Sequence, residues 1–233
     1  MKILVTGFEP FGGQDINPSE EVLKLLPDSL DRQCCGGVVE IVKLSIPTTM
    51  RGSMEAIRNA VETHQPDVVL SIGQAGGRAD ITLEAVGTNE ADFPIPDNDG
   101  NLPRGEVITE GGPDAYFTSI PNKRVVAGIL NKGIPASISR SAGTYVCNYV
   151  CYKTCDFLRN EYPHVRSGFM HIPYLPEQVA MLYEKGKTAP QPSMSLDVVA
   201  KAVISAIMSI YRCVEHDVDE NGDQGEYVTG STH

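Results

Sequence analysis

Three residues of this chain, Cys147, His171 and Glu84, have the types and settings that covalent catalysis needs. Cys147 follows Ser141-Ala142-Gly143-Thr144-Tyr145-Val146, a turn that links an apolar run to an amphipathic one, so it falls in the first turn of a helix. Unpaired backbone N–H groups and the positive end of the helix dipole favour thiolate over thiol there, which makes Cys147 a candidate nucleophile. His171 ends the apolar run Gly168-Phe169-Met170 and is followed by Ile172-Pro173, so it emerges at the carboxyl edge of a sheet. Ligands of open α/β sheets bind at that edge. Glu84 closes Ile81-Thr82-Leu83-Glu84, an apolar setting in which a carboxylate is costly unless paired, for instance with an imidazolium. Placed on adjacent loops at one sheet edge, the three would supply a nucleophile, a base and a group that orients the base.

The other cysteines and histidines fit blander roles. Cys151 and Cys155 lie four and eight residues beyond Cys147 on the same helix and read as core thiols. A metal shared by all three is excluded, because eight helical residues span about 12 Å. Cys34-Cys35 beside Gly36-Gly37 reads as an incidental loop pair, and Cys213 as core. His64 and His164 have surface-like settings, and His216 and His233 lie in a polar tail. Gly7-Phe8-Glu9-Pro10-Phe11-Gly12-Gly13 stands where phosphate-cradling loops stand, but Gly13-Gln14 replaces the Lys-Ser/Thr of a P-loop and Glu9 replaces the middle glycine of a dinucleotide fingerprint. What this turn offers instead is two aromatic walls, Phe8 and Phe11, for a small flat ligand.

These residues must be held by a scaffold, and apolar runs alternating with amphipathic stretches predict an α/β domain with a largely parallel sheet. Strands are expected at residues 3–6, 39–44, 68–73, 81–86, 136–139 and 168–172. A first helix capped by Asn17 with Pro18 in its first turn buries Val22, Leu25 and Leu26. Further helices are expected from about Thr48 to His64, from Pro121 to Gly133, from Cys147 to before Pro163, and from a Ser195 cap onward. Residues 87–121 and 174–195 show no clear period and read as long loops. Residues 1–214 then form one domain, and the acidic, polar tail at 215–233 is expected to be mobile.

With 41% hydrophobic residues and a net charge of −11, the chain has the composition of a globular protein that repels phosphate backbones and anionic membranes. Nucleic acid and membrane partners are therefore excluded. The chain shows no leader and no apolar run of about 18 residues, so a cytoplasmic location with reduced cysteines is expected.

The ordered motifs resemble the type I pyroglutamyl peptidases, also called pyrrolidone carboxyl peptidases. The likeness rests on Gly7 to Gly13 with Asn17-Pro18-Ser19, Gly73-Gln74-Ala75-Gly76-Gly77-Arg78, Ile95-Pro96-Asp97-Asn98, Ala142 to Asn148, and His171 to Gln178. It implies a three-layer α/β/α sandwich with Glu84, Cys147 and His171 as the catalytic set. It further implies a lactam pocket lined by Phe8, Phe11, Thr48, Ile95, Tyr145 and Val146, no metal or organic cofactor, and peptide substrates beginning with pyroglutamate. Family members range from monomers to tetramers, so a homo-oligomer lies within what is implied. The sequence departs from the family pattern at Ala85 and Pro94, where arginines are common, and Arg78 and Arg104 flank the same region. A lactam-binding protein without turnover, or an amidase on other lactams, are the alternative readings.

Overall fold

The computed structural model describes residues 1–31, 37–186 and 189–216. Among these the chain runs β1 (Lys2–Phe8), α1 (Pro18–Leu25), β2 (Ser29–Asp31), β3 (Val38–Ile46), α2 (Met50–His64), β4 (Val68–Gln74), β5 (Ile81–Glu84), β6 (Val86–Thr88), β7 (Ala115–Phe117), α3 (Asn122–Leu130), β8 (Ala136–Ser139), α4 (Val146–Glu161), β9 (Arg166–Ile172), α5 (Pro176–Glu184) and α6 (Leu196–His216). Seven strands form one mixed sheet in the order β2-β3-β1-β4-β9-β5-β8. Strands β3, β1, β4 and β9 are parallel, whereas β5 runs against β9 and with β8, and β2 runs against β3.

Helices cover both faces, as the three-layer sandwich requires. Ile3, Val5, Leu70, Leu83 and Met170 pack on one face with Val22 of α1, Val125 of α3 and Val203 of α6. On the other face Leu4, Phe8, Val69 and Phe169 pack with Ile57 of α2 and Val150 of α4. A strand buried on both sides has no polar face to show, which is why β1 and β4 read as continuous apolar runs.

Helix α1 begins as expected, with Asn17 Oδ1 accepting from the Ser19 N–H and Pro18 in the first turn. Its buried stripe is Ser19, Val22 and Leu23, while Leu25 is 46% exposed. Ser19 explains the rotation: its Oγ accepts from the Phe8 N–H, and a Cβ on Gly7 would lie 2.0 Å from its carbonyl oxygen. The helix start is thus pressed on β1 at a glycine, and Leu25 turns outward.

The strand expected at 81–86 is two strands. After Glu84 the chain changes partners at Ala85, and Val86–Thr88 pairs with Ala115–Phe117 in a separate ribbon. The aperiodic stretch 87–121 is tied down by side chains: Asp97 accepts from the N–H groups of Met50, Asp99 and Asn101, and the Asn148 amide holds the backbone of Thr88 and Glu90. The stretch 174–195 contains helix α5, which sequence reading took as loop. Cys34 and Cys35, and the tail from residue 217, lie outside the described residues, and α6 reaches His216, two residues past the expected boundary.

Candidate active site

The site lies at the carboxyl ends of β1, β4 and β9, on the face that α2 and α4 cover. Register places its parts. Gly73 of β4 pairs with His171 of β9, and Thr82 of β5 pairs with His171 from the other side. A Cβ on Gly73 would fall 2.9 Å from Cys147 Sγ and 3.1 Å from Phe169 Cζ, so the thiol rests on a bare backbone position one strand away from the histidine.

Because β5 runs antiparallel to β9, Glu84 lies level with Phe169, two residues deeper in the sheet than His171. It is fully buried at the end of β5, inside the strand span expected at 81–86, and not on a loop beside the other two groups. His171 Nδ1 donates to Glu84 Oε1 at 2.7 Å, which fixes the tautomer and leaves Nε2 as the acceptor on the cavity side. Arg78 Nη1 donates to the same oxygen at 2.5 Å, and the guanidinium also bonds the Thr82 hydroxyl and the Ser141 carbonyl. The second carboxylate oxygen is buried without a hydrogen-bond partner. Arg78 thus stands between the Glu84 carboxylate and the loop that leads into α4, whereas Arg104 bonds the Phe93 carbonyl.

Burial raises the Glu84 pKa, but the bonds from His171 and Arg78 outweigh it and hold the carboxyl below its ordinary 4.5. For His171 burial wins over the Glu84 charge and holds the imidazole below 6.5. Burial also pushes the Cys147 thiol up to about 12, with the Glu84 charge adding to it and Arg78 and the residue's own backbone N–H opposing it. The helix start therefore does not make a resting thiolate, contrary to the sequence expectation. The resting pair is a neutral thiol beside a neutral imidazole, because charge at either group is poorly solvated in this setting.

Helix α4 opens at Tyr145 without a side-chain cap, so the first-turn N–H groups, Cys147's among them, have no intrahelical or capping partner. Cys147 lies on a cavity of about 400 Å³ lined by Phe8, Phe11, Asn17, Thr48, Gln74, Ala75, Gly76, Arg78, Pro94, Ala142, Gly143, Tyr145, Cys147 and His171. Its apolar side is built from rings in contact: Phe11 meets Tyr145 tilted at 5.7 Å, Tyr145 meets Phe93 edge to face at 4.7 Å, and the Tyr145 hydroxyl donates to the Pro96 carbonyl. Thr48 donates to the Glu9 carbonyl and anchors the Phe8 to Phe11 turn.

Of the residues expected around this cavity, Glu84, Cys147, His171, Phe8, Phe11, Thr48 and Tyr145 come together. Glu84 reaches the cavity only through His171, and two others do not join the lining either. Val146 is wholly buried in the core under α4, and Ile95 is 40% exposed with its Cδ1 beside Gly12. Cys151 and Cys155 are buried, as expected, with Cys155 Sγ 3.3 Å from Ser167 Oγ. Sequence reasoning gave no role to Gln74, which its place at the end of β4 could have signalled.

A family model described as pyroglutamyl peptidase matches residues 1–213. The pyrrolidone-carboxylate peptidase of Finegoldia magna is 48% identical over 233 residues, covering 100% of both chains. Among solved structures, pyroglutamyl peptidase I of Bacillus amyloliquefaciens matches with a TM-score of 0.82 at 44% identity, covering 91% of this chain and 97% of that one. The pyrrolidone carboxyl peptidase of Thermococcus litoralis matches with a TM-score of 0.86 at 35% identity, covering 96% and 99%. A thiol, a histidine and a carboxylate joined at one sheet edge agree with what these relatives are, and the chain belongs to the pyroglutamyl peptidase family of cysteine peptidases.

Proposed function

We propose that this chain hydrolyses the amide bond after an N-terminal pyroglutamate, with Cys147 as nucleophile, His171 as proton carrier and Glu84 as its anchor. The observation that carries the assignment is the His171 Nδ1 to Glu84 Oε1 bond at 2.7 Å beneath a cavity that both His171 and Cys147 line. As Cys147 Sγ attacks the pyroglutamyl carbonyl carbon, its proton passes to His171 Nε2 and a C–S bond forms. The oxyanion is met by the Cys147 backbone N–H at the uncapped start of α4. The C–N bond then breaks as the imidazolium gives that proton to the leaving amine. Water, deprotonated by His171, attacks the thioester; pyroglutamate leaves and the thiolate recovers its proton.

Pyroglutamate carries no α-ammonium, and the walls of Phe8, Phe11 and Tyr145 suit its uncharged ring. The test is a comparison of pyroglutamyl and prolyl amides of one fluorogenic amine, which differ in the lactam carbonyl and in the positive charge that the prolyl ring nitrogen carries at neutral pH. Turnover of the pyroglutamyl amide at least a hundredfold above the prolyl one is expected. No release from either amide would leave a binding protein, and equal release would leave a general amidase. Thr48 and Ile95 belong to this reading as supports of the aromatic wall, and Val146 as the packing under Cys147. The same reading makes residues 1–214 one cytoplasmic domain.

The pH profile follows from the directions of the two shifts. His171 must be neutral to accept the thiol proton, and its pKa is held below 6.5. The acid limb of activity therefore lies below the range of an ordinary histidine, and activity falls as the pH drops through it. On the alkaline side the thiol does not ionise until near 12, so the plateau extends far above neutrality. A rate that climbs steeply between pH 7 and 9 would show that thiolate formation, not the neutral pair, governs the reaction.

A further inference from the structure

Arg78 reaches the site from the turn after β4, where Gly77 has a φ of +88° and the Arg78 N–H closes the turn on the Ala75 carbonyl at 3.3 Å. Its guanidinium then joins two parts of the site. Nη1 donates to Glu84 Oε1 at 2.5 Å and to the Thr82 hydroxyl, while Nη2 donates at 3.2 Å to the Ser141 carbonyl, in the loop that leads into α4. A guanidinium can only donate, so the Thr82 oxygen accepts from it and turns its own proton toward Glu84 Oε1, 3.4 Å away. Donors from His171, Arg78 and Thr82 therefore converge on one carboxylate oxygen, and Oε2 is buried without a hydrogen-bond partner.

A buried carboxylate paired with a histidine alone can spoil that histidine as a base in two ways: it draws a proton onto the imidazole, or it takes one up itself. The permanent charge of Arg78 opposes both. Burial is the largest influence on His171 and lowers its pKa, the Glu84 charge raises it, and the Arg78 charge lowers it again. At Cys147 burial leads in the other direction and disfavours thiolate; Glu84 adds to that effect and Arg78 counters it. The charged and titratable groups around His171 are Glu84 from β5, Arg78 from the turn after β4 and Cys147 from α4, across the cavity. Its register neighbours Gly73 and Thr82 are uncharged, as is Phe169, whose ring lies 4.9 Å from the imidazole. Among the described residues that line the cavity, Arg78 is the only permanent cation.

We infer that Arg78 is a positioning residue for the base: it carries the counter-charge of Glu84, so that the carboxylate anchors a neutral His171, and its second arm ties that carboxylate to the loop that delivers Cys147. This rests on the pyroglutamyl peptidase reading, and the experiment separates the two. Arg78→Gln and Arg78→Met remove the charge, whereas Arg78→Lys keeps it. In the neutral variants Glu84 acts on His171 unopposed, the imidazole holds its proton to higher pH, and the acid limb of kcat moves upward. At pH 7 kcat is expected to fall by about 10- to 100-fold, the scale of one lost charged hydrogen bond, with the KM for a pyroglutamyl amide and inhibition by 2-pyrrolidone, the bare lactam ring, little changed. Arg78→Lys should return the limb to its wild-type place and kcat to within about tenfold, because the charge is back but the planar fork is not. A purely structural role would lower the melting temperature and kcat without moving the limb. Thermal melts identify any variant that is merely unfolded. An acid limb that stays in place in a folded neutral variant, or that moves as far in Arg78→Lys, would overturn the inference. If neither neutral variant folds, Arg78→Lys decides alone: a limb in place with kcat within about tenfold supports the inference, and a limb moved upward or a larger loss overturns it. A wild type that releases no amine from the pyroglutamyl amide would overturn the parent reading instead.

Discussion

Cys147→Ala should reduce turnover of a pyroglutamyl amide by about a million-fold, the scale seen when a hydrolase of this mechanistic type loses its nucleophile. No described neighbour can take over. Cys151 and Cys155 are buried beneath α4, and among the described thiols only Cys147 lines the cavity. The substitution removes one atom at a place where Gly73 already leaves room, so the melting temperature should stay within a few degrees and 2-pyrrolidone should bind as before. Retained binding with lost turnover separates chemistry from recognition in a single variant. Residual activity above one part in a hundred, free of wild-type contamination, would remove Cys147 from its assigned role.

Glu84→Gln should cost about ten-thousand-fold in kcat, because the wrong imidazole tautomer disables a base of this kind on that scale. The carboxylate oxygen now accepts from both His171 and Arg78. A glutamine oxygen can still serve Arg78, but the negative charge that stabilises the imidazolium is gone. If the amide NH2 turns to Nδ1, the imidazole proton moves to Nε2 and blocks acceptance from the thiol. Since the Glu84 charge raises the His171 pKa, the acid limb of whatever activity remains should shift to lower pH. The fold should also weaken, because the Arg78 guanidinium, 30% exposed, loses its anionic partner. Activity within tenfold of wild type, or an acid limb that stays in place, would deny Glu84 this role.

Much of this site could be read from the chain, for identifiable reasons. Strands β1, β4 and β9, buried on both faces, read as apolar runs and β3 as an alternating one, and with β8 they were found to within two residues of their ends. Cys147 and His171 were legible because a glycine-containing turn and a proline-flanked strand end announce a helix start and a sheet edge. The failures are tertiary in origin. Strands β2, β6 and β7 have three residues each, too few to carry a period, and they exist only through their partners. Helix α5 was hidden by surrounding prolines, although Pro176 fills the first-turn position that tolerates it. The upward direction of the Cys147 pKa was not legible, because a helix start is visible in sequence and the desolvation around its Sγ is not.

The place of β9 in the sheet bears on synthesis as well as on catalysis. It lies between β4 and β5, yet both of those strands are complete more than eighty residues before it in the chain. A nascent chain that has emerged only as far as α4 carries two unpaired inner strand edges and an incomplete hydrophobic face. Such edges are templates for joining other chains. Insertion of β9 closes that gap and brings His171 between Gly73 and Thr82 in one event. Between the synthesis of Cys147 and that of His171 the nascent chain therefore holds a thiol without its histidine, and the two meet only at the step that ends the exposure of those strand edges.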